Sequence, residues 1–479
     1  MRPFPLFRFS APPVMRIICL LLATVAGLYA NGFYIPVQDP FAASRGNAFV
    51  ATADRPSAVF YNPAGLTQLD SAAVHIGVYG VRLGIDGETA IDGGSHQNKA
   101  EFIPLPQFYA AAPLNDRLSV GVGLNAPFGL RTDWGTSTPF RAVATETDLT
   151  YATAWGVLGY ELSSDLSIGG GLALTYADGT LKQFLPPPTP PAEDGVEGDD
   201  YSTSWIASLL WQPGGRHSFG LTYRAKTELD LSGSAAAPGI GLAIPEAGLD
   251  LVTPDTLVAG YAFRPNEQWT LEANVEWVNW RRLKVPTLRQ APLPDNPIPV
   301  NWESNFMYGF GVTYAPNESW AFNAGYIFIE NSQPDLNFNP AIADADRHWL
   351  SAGVSYRAAT WTVDLAYQYA FSDRTVLDPT PEFDAGDLVA VVPPRHHARV
   401  GGRVVAQPPV RLAEVVDHDG RPVAVAPADH NLRLRQRLRD APAVRREAQR
   451  EDQRDDGEAD GAGRPPRPHI LVVELTQLV

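Results

Sequence analysis

Apolar and polar residues alternate along much of this chain, and the alternation predicts β-strands. In residues 361–370 every second residue is Trp, Val, Leu or Tyr, and the residues between them are Thr, Asp, Ala or Gln. Because the side chains of a strand alternate between its two faces, such a segment has one apolar face and one small or polar face. The apolar face packs in a core if the protein is soluble, or contacts lipid if the strand lies in a membrane barrel.

Thirteen segments share this pattern. They are Ala73–Ile85, Glu101–Ala112, Leu118–Ala126, Thr150–Leu162, Leu166–Ala177, Tyr201–Gln212, Ser218–Leu231, Thr253–Arg264, Trp269–Leu283, Trp302–Ala315, Trp320–Glu330, His348–Arg357 and Trp361–Phe371.

The links between these segments alternate between short and long. Six short turns, such as Pro265–Glu267 and Pro316–Glu318, are rich in turn-forming residues, whereas links such as Asp178–Asp200 are long and polar. Short turns on one side and long loops on the other are typical of an outer-membrane barrel, and a soluble sandwich has no reason to separate them. Six short turns and seven long loops require fourteen strands, so one strand follows Phe371.

The N-terminus predicts export. Three Arg precede an apolar run at Ile17–Leu28, which indicates a signal peptide of residues 1–30 that is cleaved after Ala30. No later run is long and apolar enough for a membrane helix. The single cysteine, Cys19, lies in the signal, so we expect no disulfide and no cysteine-ligated metal in the mature chain. Most of the eleven Trp lie near predicted strand ends, where we expect them at the bilayer interface.

Residues 31–72 precede the first strand and form a separate unit. This stretch is rich in Ala, Gly and Ser and is too small to form its own core. A fourteen-stranded barrel has a lumen wide enough to hold it. We therefore expect an N-terminal hatch inside a barrel formed by residues 73–394.

Several motifs, in this order, resemble the FadL-type outer-membrane transporters of long-chain fatty acids and other hydrophobic compounds, a family with relatives linked to aromatic hydrocarbon uptake. Their order and spacing cover about residues 31–371. The motifs are Asn31-Gly-Phe, Ala42–Gly46 with Ala53-Asp54, Asn62-Pro63-Ala64, Gly129–Trp134, Thr222-Tyr-Arg224, Trp277 with Trp280, and Asp344–Ser351.

The resemblance implies a fourteen-stranded barrel with a hatch, located in the outer membrane of a Gram-negative bacterium. It also implies a route: capture at the outer loops, transfer to an apolar pocket, movement of the hatch, and exit through a gap in the wall. Pro127 interrupts the third predicted strand and cannot donate to a sheet, so it either forms that gap or begins an outer loop. Gly129 matches the family's kink region, and Phe33 resembles the position that reaches the ligand pocket.

Other site residues leave alternatives open. Asn62, Pro63 and Ala64 form either a tight turn or a hinge of the hatch. Arg224 and Lys226 fall on the same side of their strand and would face the lumen, where each either contacts a ligand carboxylate or pairs with an acidic residue such as Glu228, Asp230, Glu272 or Glu276. Where the family carries several basic residues, this chain has one, Lys182, which leaves room for a neutral substrate.

Rival functions receive less support. A lipid hydrolase needs a His beside a Ser or Asp, and His75, His96, His217 and His348 are scattered along the sequence. A general porin would lack a hatch. We expect no enzyme activity, no metal and no cofactor. Residues 1–394 carry 22 basic and 40 acidic residues, so nucleic acid is not an expected partner. The expected partners are a hydrophobic small molecule, lipopolysaccharide with outer-membrane lipid, and the barrel assembly machinery, with the protein itself a monomer.

The last portion, residues 395–479, breaks the pattern. It is an atypical tail with no Phe, Tyr or Trp after Arg395, and it holds fifteen of the chain's 33 Arg. This change predicts a shift of reading frame between about Val376 and Val405 and a disordered tail, which resequencing would test. The fourteenth strand is then expected at Asp387–Val392 or His397–Val405.

Overall fold

The computed structural model describes residues 32–89, 94–99, 102–185, 191–291, 294–372, 374–378, 396–400 and 470–478. The predicted signal peptide and most of the predicted tail lie outside these residues. Within them the chain is almost entirely β-structure. The strands are β1 Ala73–Arg82, β2 Asp86–Thr89, β3 Ser95–Gln97, β4 Phe102–Pro113, β5 Leu118–Asn125, β6 Leu130–Asp133, β7 Glu146–Ser163, β8 Leu166–Phe184, β9 Glu193–Trp211, β10 His217–Arg224, β11 Glu228–Ala237, β12 Leu242–Val252, β13 Thr256–Asn266, β14 Trp269–Val278, β15 Thr287–Gln290, β16 Asn296–Pro297, β17 Asn305–Tyr314, β18 Trp320–Ile329, β19 Arg347–Arg357, β20 Trp361–Ser372, β21 Arg374–Asp378, β22 His396–Val400 and β23 Ile470–Leu478.

Nineteen of the strands described here belong to one antiparallel sheet. Its longest pairings follow chain order: β1 pairs with β4, β5 with β7, β7 with β8, β8 with β9, β13 with β14, and β17 through β20 pair in succession. Strands β2, β3, β21 and β22 form a second, small sheet. The chain is therefore an all-β antiparallel structure, as the alternation predicts.

The sheet contains more strands than the thirteen segments found by alternation. The predicted strand Ser218–Leu231 is two strands, β10 and β11, because residues 225–227 leave the ladder. Strand β12 lies in a stretch that was predicted to be a loop. Strands β7, β8 and β9 have 18 to 19 residues, about twice the roughly ten that cross a bilayer. Predicted loop residues such as 178–184 and 193–200 are thus continuations of strands.

Strand β23 corrects the predicted place of the last strand. It pairs with β20 on one side and with β1 on the other. Of the alternative at His397–Val405, residues 397–400 belong to β22, which pairs with β21 and β2 in the small sheet and not with the large one. Residues 401–405 lie outside the described residues. The other alternative, Asp387–Val392, lies outside the described residues. Residues 470–478 begin with four apolar residues in a row and contain no aromatic residue, so the search for alternation did not identify this strand. The frame shift stays a prediction.

One face of the large sheet exposes apolar side chains. Leu172 is 71% exposed, Phe310 is 52% exposed and Trp205 is 48% exposed. Soluble monomers do not expose so continuous an apolar surface, whereas lipid would cover it. No helix among the described residues has both the length and the apolar character needed to cross a bilayer.

The tryptophan prediction is only partly correct. Trp211, Trp269, Trp320 and Trp361 are exposed at strand ends, where they contact aromatic neighbours such as Tyr314 and Tyr356. Five others, Trp134, Trp155, Trp280, Trp302 and Trp349, are buried. Nearness to a strand end does not fix a side chain's direction. Trp155 lies on the opposite face of its strand. Trp280 lies in the link after β14 and Trp302 in the link before β17, and both belong to one buried hydrophobic cluster.

Candidate functional site

The N-terminal segment, residues 32–72, contains two short helices and a 3-10 helix. Helix α1 (Pro40–Ser44) is capped by Asp39, whose carboxylate accepts a hydrogen bond from Ala42 N at 2.9 Å. Helix α2 (Ala58–Tyr61) is followed by the 3-10 helix Pro63–Gln68. Of residues 32–66, all but four are buried. A segment this short cannot bury itself to that degree, so the sheet provides its surroundings.

This segment packs on the face of the sheet opposite to the exposed apolar side chains. Glycines on the strands let its backbone approach closely. At six strand glycines, an added Cβ would lie within 2.6 Å of an atom of the segment. These glycines are Gly121, Gly159, Gly169, Gly220, Gly325 and Gly353. The contacts run from β5 to β19, so the segment touches most of the sheet's width.

Phe33 lies in a buried aromatic cluster. Its ring contacts Trp280 edge-on at 5.0 Å, Phe128 at 5.8 Å and Trp302 at 6.2 Å between ring centroids. Trp280 and Trp302 also pack on each other at 4.8 Å. Their indole N–H groups are buried without a hydrogen-bond partner among the described residues. The cluster is thus an apolar surface with two available donors, and the two Trp are site residues whose burial sequence reasoning missed.

The third predicted strand is interrupted at the expected residues. Strand β5 ends at Asn125 and β6 begins at Leu130. Between them, Pro127 O accepts a hydrogen bond from Ile35 N at 2.8 Å, and Gly129 N donates to Phe33 O at 2.9 Å. Tyr34 and Phe128 form the β-bridge between these two bonds. The interrupted part of the wall therefore pairs with the beginning of the N-terminal segment.

Arg224 lies beside this interruption and is buried. Its Nη2 is 2.7 Å from Glu276 Oε1 and donates to the Tyr34 hydroxyl at 3.2 Å. Tyr34 in turn donates to the same Glu276 oxygen at 2.7 Å. The guanidinium also lies 4.6 Å from the centre of the Phe60 ring. Of the acidic residues proposed as partners of Arg224, the structure thus selects Glu276.

A small cavity adjoins Arg224. Phe60, Phe128, Tyr151 and Trp155 supply its aromatic walls, with Thr and Ser hydroxyls between them. Its wall also includes Pro127 of the interrupted strand. The cavity therefore borders the N-terminal segment, the interruption and the neighbouring strands, and aromatic rings form much of its lining.

Lys226 is not part of this cavity. Its ammonium pairs with Glu228, and its side chain is more than a third exposed. It follows the end of β10, where the chain has left the ladder, so the shared strand face assumed from the sequence does not exist there. Arg224 therefore belongs to the site, and Lys226 lies outside it.

Asn62, Pro63 and Ala64 dock the N-terminal segment on the sheet. Asn62 Nδ2 donates to Val50 O at 2.8 Å and to Leu209 O of β9 at 3.1 Å. Ala64 N donates to the Asn62 side chain at 3.2 Å and to Ser208 Oγ at 3.0 Å. The motif thus caps the 3-10 helix and fixes it to β9. Whether it also acts as a hinge stays a prediction.

Gly169 in β8 offers a test of this docking. A Cβ there would lie 2.3 Å from Ala64 N and 2.5 Å from Pro63 C, both backbone atoms that cannot rotate away. We expect Gly169→Val to displace the segment, at a cost of about 1–3 kcal/mol in overpacking. Trypsin cleavage after Arg45, which is buried in the segment and followed by Gly46, would report the displacement in outer-membrane vesicles as faster cutting.

The matched control is Gly156→Val. Gly156 is exposed, and an added Cβ would meet nothing within 4 Å. Cleavage of this variant should match that of the unchanged protein. If the Gly169 variant were cleaved at the same rate as the unchanged protein, the docking of the segment would not depend on this contact.

Two ion pairs hold residues 45–55 of the segment against the sheet. Arg45 Nη2 is 3.0 Å from Glu272 Oε2, and both side chains are almost fully buried. Glu272 also accepts hydrogen bonds from Thr52 Oγ1 at 2.7 Å and from Ala51 N at 2.8 Å. Arg55 pairs with Asp364 of β20 at 2.6 Å. Two strands far apart in the sheet thus each hold a cation of the segment.

The histidine prediction needs a correction. His75 meets Asp39 and Ser57, which the sequence does not place together: its Nδ1 lies 3.5 Å from Asp39 Oδ2, and Ser57 donates to that same carboxylate. The Asp39 carboxylate lies between His75 and Ser57, so the imidazole does not receive the serine proton. A general base that activates a serine nucleophile must receive that proton. All three side chains are buried. Among the described residues, no group of three or more His, Cys, Asp or Glu could hold a metal ion.

Comparisons with known proteins agree on one family. The model of a family described as "Outer membrane protein transport protein (OMPP1/FadL/TodX)" matches residues 20–389. The long-chain fatty acid transport protein of Escherichia coli K12 is 25% identical over 381 residues, which cover 67% of this chain and 84% of that protein.

Two solved structures share the fold. The crystal structure of a Pseudomonas aeruginosa FadL homologue aligns with a TM-score of 0.67 at 21% identity, covering 77% of this chain and 96% of that one. The crystal structure of the P. putida toluene transporter TodX aligns with a TM-score of 0.62 at 14% identity, covering 95% of this chain and 99% of that one.

Proposed function

The chain belongs to the OMPP1/FadL/TodX family of outer-membrane transport proteins, and we propose that it takes up hydrophobic compounds across the outer membrane. The observation that carries the proposal is the aromatic cluster at Phe33, which lies against an interruption of the wall. Fatty acids and aromatic hydrocarbons are poorly soluble, so they need continuous apolar surface and not a water-filled pore.

The fold we propose is a closed fourteen-stranded barrel with residues 31–72 as its hatch. In its support, fourteen of the described strands can be followed by antiparallel pairing from β1 to β23, and β23 pairs with β1. Exposed apolar side chains lie on the other face from the hatch. Backbone pairing on both sides of each strand is what a strand in lipid requires.

The proposed route begins at the outer loops and continues through the cluster of Phe33, Trp280 and Trp302. From there the molecule passes into the cavity beside Phe128. The cavity borders Pro127, where the strand interruption offers a lateral exit into the membrane. Lateral release suits a hydrophobic cargo, because it never crosses the aqueous periplasmic side of the barrel.

The hatch and the exit are coupled in this mechanism. Two backbone hydrogen bonds join Phe33 and Ile35 to Gly129 and Pro127. A ligand that displaces the Phe33 ring would pull on these bonds and so loosen the wall segment. Occupancy of the aromatic cluster would thereby open the exit.

A general porin is the alternative from another class. It needs an open water-filled passage, whereas the N-terminal segment here is buried against strands from β5 to β19. An outer-membrane lipid hydrolase needs an activated nucleophile, and the arrangement of Ser57 and His75 around Asp39 does not supply one.

The test is uptake by a strain that lacks its own transporter of this kind. We expect expression of the full chain to increase uptake of labelled toluene, oleate or both over an empty-vector control, with uptake of small sugars unchanged. Increased sugar uptake with neither hydrophobic compound would contradict the proposal and favour a porin.

A further inference from the structure

The cation in the cavity wall is compensated by a carboxylate. Arg224 borders the cavity and is bound to Glu276 at 2.7 Å. No other cavity-lining side chain among the described residues carries a charge; the rest are aromatic, aliphatic or hydroxyl-bearing. The Phe33 ring contacts the rings of Trp280, Phe128 and Trp302. The cavity therefore has one positive group, and a buried negative group neutralises it.

The pairing of Arg224 is extensive. Its Nη2 contacts both the Glu276 carboxylate and the Tyr34 hydroxyl, its Nη1 donates to Phe60 O at 3.3 Å, and its guanidinium lies over the Phe60 ring. Tyr34 also donates to Glu276. Such a network fixes the guanidinium where it is, because moving it would leave Glu276 as an unpaired buried charge.

Three basic side chains outside the cavity, Lys182, Arg282 and Lys226, are paired in the same way. Lys182 lies 2.8 Å from Glu146, whose hydrogen bond raises the pKa of Lys182. Arg282 binds Asp255 at 2.8 Å, and Lys226 binds Glu228. A carboxylate ligand arriving by this route would compete with a protein carboxylate at each of these cations.

We propose that this transporter selects uncharged hydrophobic molecules and discriminates against fatty acid anions, and that Glu276 sets this preference. The proposal rests on the function proposed above. A fatty acid carboxylate in the cavity would lose its hydration, face Glu276 and find no unpaired cation. A hydrocarbon or a long-chain alcohol loses little hydration and gains aromatic contact.

The test compares two probes of equal chain length, 1-dodecanol and dodecanoate. Each labelled probe is titrated at pH 9 into the full-chain protein in lipid nanodiscs, with empty nanodiscs subtracted. We expect dodecanol to bind about tenfold or more tightly than dodecanoate, the difference that one uncompensated charge contact makes. Equal affinities for the two probes would overturn the proposal. Binding of neither would refute the proposed function itself.

Variants identify the group responsible. Glu276→Gln uncovers Arg224, and we expect its affinity for dodecanoate to rise about tenfold or more. The double variant Arg224→Gln, Glu276→Gln should lose that gain, because the cation is then absent. Retained dodecanol binding shows that each variant is folded. Glu318→Gln removes an exposed carboxylate at an inner turn and should behave as the unchanged protein. No gain in a folded Glu276→Gln variant would overturn the assignment of Glu276.

Discussion

A disulfide between residues 34 and 128 is expected to stop uptake. Tyr34 and Phe128 form a bridge flanked by the hydrogen bonds from Ile35 and Gly129, which makes them a non-hydrogen-bonded antiparallel pair. The Cα atoms of such a pair lie about 4.5 Å apart, within the range that a disulfide spans. Replacing both by Cys would join the hatch covalently to the interrupted strand. If movement there opens the exit, oxidation should reduce toluene uptake about tenfold or more.

The reduced form of the same double variant is the control. The only native cysteine, Cys19, lies in the predicted signal peptide, so dithiothreitol acts on the engineered bond alone. Reduction should restore uptake to the level of the reduced variant that was never oxidised. Full uptake with the bond intact would show that the exit opens without separating these two segments.

Removal of the Glu272 carboxylate is expected to release the hatch. In Glu272→Ala, the buried Arg45 guanidinium loses its counter-charge, while Thr52 and the Ala51 amide lose their acceptor. Breaking a buried pair from one side costs about 3–5 kcal/mol. We expect this cost to raise the population with a displaced hatch. In planar bilayers, we expect current steps that the unchanged protein does not give.

Two variants show whether charge is the cause. Arg45→Met with Glu272→Met removes both charges and leaves none unpaired, so it should conduct far less than the single variant. Glu267→Ala, at an exposed inner turn, should not conduct. If Glu272→Ala gave no current steps, the remaining contacts, such as Arg55 with Asp364, would be sufficient to hold the hatch.

Much of the strand pattern follows from the sequence because it is local. Alternation depends on successive residues only, and it identified the strands around Ala73, Trp269, Trp320 and Trp361. The predicted turn Pro316–Glu318 lies between β17 and β18 as expected, whereas Pro265 and Asn266 of the predicted turn Pro265–Glu267 belong to β13. The interruption at Pro127 was also predictable, since proline cannot donate to a ladder whatever surrounds it. The backbone pairing of this interruption with Phe33 could not be predicted. The two segments are far apart in sequence, and backbone hydrogen bonds do not depend on the identity of the side chains.

Contacts across the sheet explain the other misses. Four acidic residues were equal candidates as partners for lumen cations, and only the register between β13 and β14, with β10 beside them, brings Glu276 to Arg224. Lys226 was misplaced because a strand was assumed to continue through residues 225–227. Strand β12 was missed because it pairs with β11 in a stretch rich in Ala, Gly and Pro, where apolar and polar residues do not alternate clearly.

The unusual length of β7, β8 and β9 has a consequence for capture. Strand β8 is paired with β9 over its full 19 residues, and β9 is paired in turn with β11 beyond the point where β10 ends. The part of the sheet that stands above the lipid therefore has its shape before any solute arrives. A molecule that lands on this preorganised surface does not have to order a flexible loop, so little conformational entropy opposes the first encounter.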